Sequence, residues 1–180
     1  MAVETLIIGL GNVLMQDEGI GVRAVEELEC RYHMPDGVEA LDGGTSGTEL
    51  LEHMRGVKNL IVADAINSKK PPGTFIRLID DQVPAFFQTK ISNHQLGLSD
   101  LLAVLTVTGG APQHVTIIGM VPHVLENKLG LSPETEKAVG VMVDHLLEEL
   151  KSLGIEPELR DEPLVGFWEG QALSGELRCV

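Results

Sequence analysis

Glu18, Asp64 and His94 are the side chains of this 180-residue chain whose types and placement could do chemistry together. Glu18 follows the apolar run Leu6-Ile7-Ile8, Asp64 closes the run Leu60-Ile61-Val62-Ala63, and His94 opens a leucine-rich stretch. Two carboxylates and an imidazole on one rim would offer oxygen and nitrogen ligands without a thiolate. That set suits a hard-to-intermediate divalent ion. An ion so held keeps open positions, from which it polarises a carbonyl or lowers the pKa of a bound water. Each residue alone also has an ordinary explanation. Glu18 can be a first-turn carboxylate favoured by the helix dipole, Asp64 a turn cap, and His94 a polar residue in a helix's first turn. Their shared position at expected strand ends and helix starts argues for a joint role. Asn12, Asp17 and Asp42 are expected on the same rim, Asp17 with the alternative role of a base acting on water. The remaining histidines, His33, His53, His114, His123 and His145, read as structural or surface groups, with His123, just past the last strand, expected near the rim.

The elements that must position these residues are legible as runs and punctuation. Val3–Gly9, Lys58–Ala65 and His114–Val121 are continuous apolar runs of strand length, the pattern of strands buried on both faces. Val38–Leu41 is a shorter strand ending at Asp42-Gly43-Gly44. Ile20, Ala24, Val25, Leu28 and Tyr32 form one stripe at helical spacing. Ser46 and Glu49 match a capping box, as do Ser92 and Gln95, which places His94 in a first helical turn. Leu98, Leu101, Leu102 and Leu105 are the stripe of that helix. Ser132-Pro133 opens a last helix with a cap and a first-position proline. The loop Asn67–Gly73 is too short for a crossover, so the strand Thr74–Ile79 is expected antiparallel to the third strand. The predicted fold is α/β, three layers, with helices on both faces of a mixed, mostly parallel sheet of about five strands. In such sheets ligands bind at the carboxyl ends of the strands, where the winding reverses. Residues 1–154 are expected to form this domain. Residues 155–180 are acidic, hold the only tryptophan, Trp168, and are expected to form a loosely held tail. A docking role through Phe167-Trp168 is the alternative.

Composition removes several functions. The net charge of −14 disfavours nucleic acid and anionic membrane surfaces and favours a basic peptide or a cation as partner. No stretch reaches the ~18 apolar residues of a membrane span. The two cysteines, Cys30 and Cys179, form no C-x-x-C pair, so neither a disulfide framework nor a zinc site is expected. A reducing cytoplasm is the expected location, and no long apolar stripe is left over after packing, so a monomer is expected. Gly9-Leu10-Gly11 begins a dinucleotide fingerprint, but Leu14 stands where the third glycine belongs. Gly44-Thr45-Ser46-Gly47 is not a nucleophile elbow, and His-Glu-x-x-His is absent. A turn is the simpler reading of Asp42-Gly43-Gly44-Thr45, because tandem glycine takes strained backbone at no steric cost. Contact with a substrate backbone is the other.

Four motifs in order then carry a resemblance. Gly9-Leu10-Gly11-Asn12-Val13-Leu14-Met15-Gln16-Asp17-Glu18-Gly19-Ile20-Gly21, Asp42-Gly43-Gly44-Thr45, Ala63-Asp64-Ala65 and Lys90-Ile91-Ser92-Asn93-His94-Gln95-Leu96-Gly97 resemble the hydrogenase maturation endopeptidases, most closely those serving uptake-type nickel–iron hydrogenases. The resemblance spans about residues 3 to 154. It implies an endopeptidase that removes a short C-terminal extension from the hydrogenase large-subunit precursor after nickel insertion. The family's metal-binding residues fall on Glu18, Asp64 and His94, and the nickel belongs to the precursor as its recognition element. Asn93 stands where some relatives carry proline, a change expected in loop stiffness and not in ligation. A carrier that docks the precursor without cutting, and a nucleotide- or phosphate-binding enzyme, are the rival readings.

Overall fold

The unbroken apolar runs become the middle of the sheet because they need burial on both faces. A computed structural model describes residues 2–88, 97–168 and 170. β1 (Thr5–Leu10) leads through a 3-10 turn (Gln16–Gly19) into α1 (Ile20–Arg31), followed by the short β2 (Tyr32–His33) and β3 (Val38–Gly44). Then come α2 (Leu50–Met54), β4 (Asn59–Ala65), β5 (Phe75–Ile79), α3 (Gln82–Gln88), α4 (Leu98–Thr108), β6 (His114–Met120), α5 (Pro133–Ser152) and β7 (Glu158–Leu159). The sheet order is β3-β1-β4-β6-β5, the first four strands parallel and β5 antiparallel to β6. The expected α/β class with a mostly parallel five-stranded sheet is therefore present.

Alternation sorts the core into two layers. Ile7, Ile61, Ala63, Ile118 and Met120 pack with α1 and α5, while Leu6, Ile8, Leu60, Val62 and Ile117 pack with α2, α3 and α4. β5 runs in the expected direction but lies beside β6, not beside β4. Only a strand buried on both faces can use the slot next to β4, and β6 carries that pattern. β5 alternates half-buried and exposed positions, includes Arg77, and suits an edge. α2 also differs from expectation: no side-chain cap opens it, and the Glu49 carboxylate accepts instead from the Gly47 N–H at 3.1 Å. Ser132 does cap α5, accepting from Thr135 N–H at 3.3 Å. α4 opens with Gly97 N–H donating to Asp100 Oδ2 at 2.9 Å. The second expected capping box, Ser92 to Gln95, lies outside the described residues. Among the described residues no helix is long and apolar enough to cross a membrane.

The start of α1 sits unusually close to the sheet. A Cβ on Gly21 would collide with the carbonyl oxygens of Ala63 and Leu10, and one on Gly9 would lie 2.5 Å from Gly21 O. These are backbone atoms of two central strands and cannot step aside. Gly21→Ala is therefore expected to destabilise by about 1–3 kcal/mol, the usual cost of overpacking. At roughly 2–4 °C per kcal/mol for a chain of this size, calorimetry should show a Tm lowered by several degrees.

The segment after α5 differs from the expected loose tail as far as Trp168. β7 pairs antiparallel with β2, Arg160 N–H donates to Arg31 O at 2.8 Å, and Leu164 N–H donates to Cys30 O at 2.9 Å. Arg160 Nε donates to Glu29 O at 3.0 Å. The last carbonyls of any helix lack intrahelical partners, and here the segment supplies them for α1. Residues 171–180 lie outside the described residues.

Candidate functional site at the carboxyl rim

The sheet reverses its winding between β1 and β4. From β1 the chain passes through α1 to β3 on one side, then crosses back through α2 on the other face to β4. The crevice at such a reversal is where open α/β sheets place their ligands. Glu18 belongs to the turn that follows β1, and Asp64 is the penultimate residue of β4. The two strands flanking the reversal thus each send one carboxylate to the same rim. The 3-10 turn carrying Glu18 packs on β4, and its backbone is pressed onto the loop below: a Cβ on Gly11 (φ +131°) would collide with Glu18 O. Both carboxylates are half-buried. Burial pushes the Glu18 carboxyl above its ordinary value.

Asp64 alternates onto the face of Leu60 and Val62, which is the face α4 covers. The carboxyl end of α4 joins the opposite edge of the sheet, since Gly110 just beyond it accepts from Gly56 N–H ahead of β4. Leu98, at the start of α4, is therefore at the rim. His94 lies four positions upstream, outside the described residues. Among the described residues no group of three or more His, Cys, Asp or Glu side chains is placed to hold a metal ion.

Asp17 is not arranged as a base open to water. It is fully buried, and it accepts hydrogen bonds from Ser132 N (2.7 Å), Ser132 Oγ (2.9 Å), Val124 N (2.9 Å) and His123 N (3.1 Å). Burial by itself raises its pKa, but the bonds from Ser132, Thr135 and Val124 outweigh that and hold the carboxyl below its ordinary value. Asp17 therefore ties the turn that carries Glu18 to the loop after β6 and to the start of α5. Asn12 also serves the backbone: its Oδ1 accepts from Leu14 N at 3.0 Å, closing a local turn of the kind short amide side chains favour.

Asp42-Gly43-Gly44-Thr45 forms a bulge at the end of β3. The register with β1 slips so that Gly9 faces Asp42 while Leu10 faces Gly44. Gly44 adopts φ +47°, and its carbonyl accepts from Gly11 N–H at 2.9 Å, which fastens the bulge to the loop ahead of Glu18. Gly43 lies so close to Ile8 and Leu10 that a Cβ would sit 2.6 Å from Ile8 Cγ2. The motif is thus a strand-end bulge that leads into a turn closed by Ser46 N–H on Gly43 O at 2.8 Å, with the Asp42 and Thr45 side chains left exposed. Asp42 has one partner not anticipated from spacing, the Trp168 indole, whose Nε1–H donates to Asp42 Oδ2 at 2.8 Å. Its only signal in the sequence is a lone Phe-Trp pair in a polar tail.

A doubly wound α/β protein with two carboxylates at its point of reversal is the class these features define. The sequence model of the hydrogenase maturation protease family matches residues 22–149. The chain is 50% identical over 152 residues to a hydrogenase 2 maturation protease of Escherichia coli, covering 84% of this chain and 93% of that protein. It is 38% identical to a hydrogenase expression/formation protein HupD of Thiocapsa roseopersicina over 90% of this chain and 74% of the relative. The solved structure of the hydrogenase maturating endopeptidase HybD from E. coli superposes with a TM-score of 0.82 at 46% identity, covering 89% of this chain and 98% of HybD. The chain belongs to the hydrogenase maturation protease family and is accordingly an endopeptidase.

Proposed function

We propose that this endopeptidase removes the C-terminal extension from the large-subunit precursor of a nickel–iron hydrogenase once nickel has been inserted, and that the precursor's nickel is what it recognises. The observation that carries the reading is the delivery of Glu18 and Asp64 to one rim by the two strands that flank the sheet reversal. With His94 they form an oxygen-and-nitrogen donor set that nickel accepts. Nickel enters as part of the substrate, so the resting enzyme needs no metal of its own. Held by Glu18, Asp64 and His94, it fixes where the precursor lies, and a divalent ion beside a peptide bond also polarises its carbonyl. Asp42, Gly43, Gly44 and Thr45, with Asn12 beside them, form the neighbouring wall, where exposed side chains and bulged backbone meet the precursor's peptide. The acidic surface favours a basic approach face on the precursor. We place the reaction in the cytoplasm, with the enzyme acting as a monomer.

The test is incubation of the purified protein with nickel-loaded precursor, read by intact mass beside a nickel-free control. Loss of a C-terminal peptide in the nickel sample alone is expected. Equal cleavage without nickel would overturn nickel recognition. Binding without any mass loss would move the protein to the carrier reading.

A further inference from the structure

The strap formed by residues 155–168 lies beyond residues 22–149, the part matched by the family model, yet it reaches the rim. It is fastened along its length by the β2–β7 pairing, by the Arg160 and Leu164 bonds to the end of α1, and by Trp168 N–H donating to Glu26 Oε1 at 2.7 Å. Gly166 is pressed so tightly on Glu26 that a Cβ there would collide with its carboxylate. Beyond these anchors the Trp168 indole does two things. Its Nε1–H holds Asp42 Oδ2, and its ring closes a small pocket lined by Val13, Gln16, Gly19, Arg23 and Gly130. Gln16 and Arg23 are each 7% exposed; Gln16 Oε1 has no hydrogen-bond partner among the described residues, and Arg23 Nε faces Glu26 Oε2 at 3.4 Å. Gln16 and Gly19 are the first and last residues of the turn that bears Glu18, and Arg23 lies in the first turn of α1. The indole thus spans the rim, from the Asp42 bulge on one side to the Glu18 turn on the other.

We propose that Trp168 is a positioning residue for the Asp42 bulge and that the strap is the wall against which the precursor's peptide chain is aligned. This inference rests on the function proposed above. A strap anchored at this many points is a fixed wall rather than a lid. By taking Oδ2, the indole turns the Asp42 carboxylate and leaves Oδ1 as the oxygen offered to a backbone N–H of the precursor. The chemistry recognised is an extended peptide, not an anion, because Glu26 and Glu136 already pair with Arg23 at 3.4 and 3.2 Å. A residue that aligns substrate without touching the reacting atoms acts on KM more than on kcat.

The experiment compares full-length wild type, W168F, D42A and W168F/D42A on nickel-loaded precursor. W168F keeps an aromatic six-membered ring and removes the pyrrole half of the indole together with its N–H. It is expected to raise KM about tenfold with kcat within twofold, the scale of one lost hydrogen bond to a charged group. The double variant is expected to add little to D42A, because the two side chains act as one unit. Trp168 is the only tryptophan in the chain, so its emission reports the contact directly, and D42A alone should shift it. An unchanged KM in W168F, a fall confined to kcat, a gain in kcat/KM, or full additivity with D42A would each overturn the inference. So would unchanged emission in D42A, a readout that needs no W168 variant to fold. Absence of processing by wild type would sink the proposed function instead, which keeps the two failures distinguishable.

Discussion

Glu18→Gln is expected to abolish processing of the nickel-loaded precursor, by a hundredfold or more, while leaving the protein folded. A hundredfold corresponds to about 2.7 kcal/mol of transition-state stabilisation. That is a modest demand on a charged ligand replaced by a neutral amide that coordinates weakly. The fold should not suffer, because Glu18 lies in the short 3-10 turn after β1 and not in either core layer. Its effect on stability even has the opposite sign. Burial raises the Glu18 pKa above its ordinary value, so the native state disfavours the ionised form. The resulting penalty is absent below about pH 4 and grows as the pH rises through the folded pKa. At pH 7 Glu18→Gln should therefore melt no lower than wild type, and the small gain should vanish in acid. Asp64→Asn and His94→Ala should share the loss of processing. Intact mass of the precursor and a melting curve on the same preparation check both halves. Unchanged processing in the Glu18 and His94 variants would sink the site assignment, and a collapsed melting transition in Glu18→Gln would show that the turn needs the carboxylate for folding.

Sequence logic reached furthest where a pattern is local. β1, β4 and β6 are legible because a strand buried on both faces must be apolar throughout, and α1 and α5 because their stripes repeat at helical spacing. Glu18 and Asp64 follow from those strands, since the carboxyl rim of a parallel sheet lies where its strands end. What was not legible depends on contacts between distant positions. Asp17, Asn12 and Asp42 are alike as polar residues near one rim, and nothing in their spacing separates them. Asp17 is closed off by groups 106 to 115 residues away, Asn12 by a neighbour two residues on, and Asp42 by an indole 126 residues on. In the sequence the strap looks loose because it lacks periodicity. Its order comes from satisfying the end of α1 and from one edge pairing of two residues, neither of which leaves a repeating mark. The placement of β5 beside β6 likewise turned on competition between two strands for one slot, which neither strand's own pattern discloses.

Asp17→Ala is expected to lower stability by about 2–5 kcal/mol, because several hydrogen bonds to a charged acceptor are lost together. Three backbone N–H groups, of His123, Val124 and Ser132, lose their acceptor at once; the buried Ser132 donor costs roughly 1–3 kcal/mol if left unsatisfied, and the part-buried His123 and Val124 donors cost less because water reaches them. At roughly 2–4 °C per kcal/mol, Tm should fall by about 10 °C. Asp17→Asn should recover little, since its amide nitrogen would point a donor at other donors. The pH dependence follows from the depressed pKa. The Asp17 contribution is complete above the unfolded carboxyl value of 3.8 and is lost as pH falls through the lower folded value. The variants should therefore lie furthest below wild type at neutral pH and approach it only in strong acid. Function gives the contrast that decides Asp17's role. A base acting on water predicts lost processing at unchanged Tm. A tie between the Glu18 turn, the loop after β6 and α5 predicts a large fall in Tm, with processing that partly survives at temperatures where the variant is still folded. The carboxylate is fully buried, with four donors already on its two oxygens, and is closed to a solvent water, so the second pattern is the expected one.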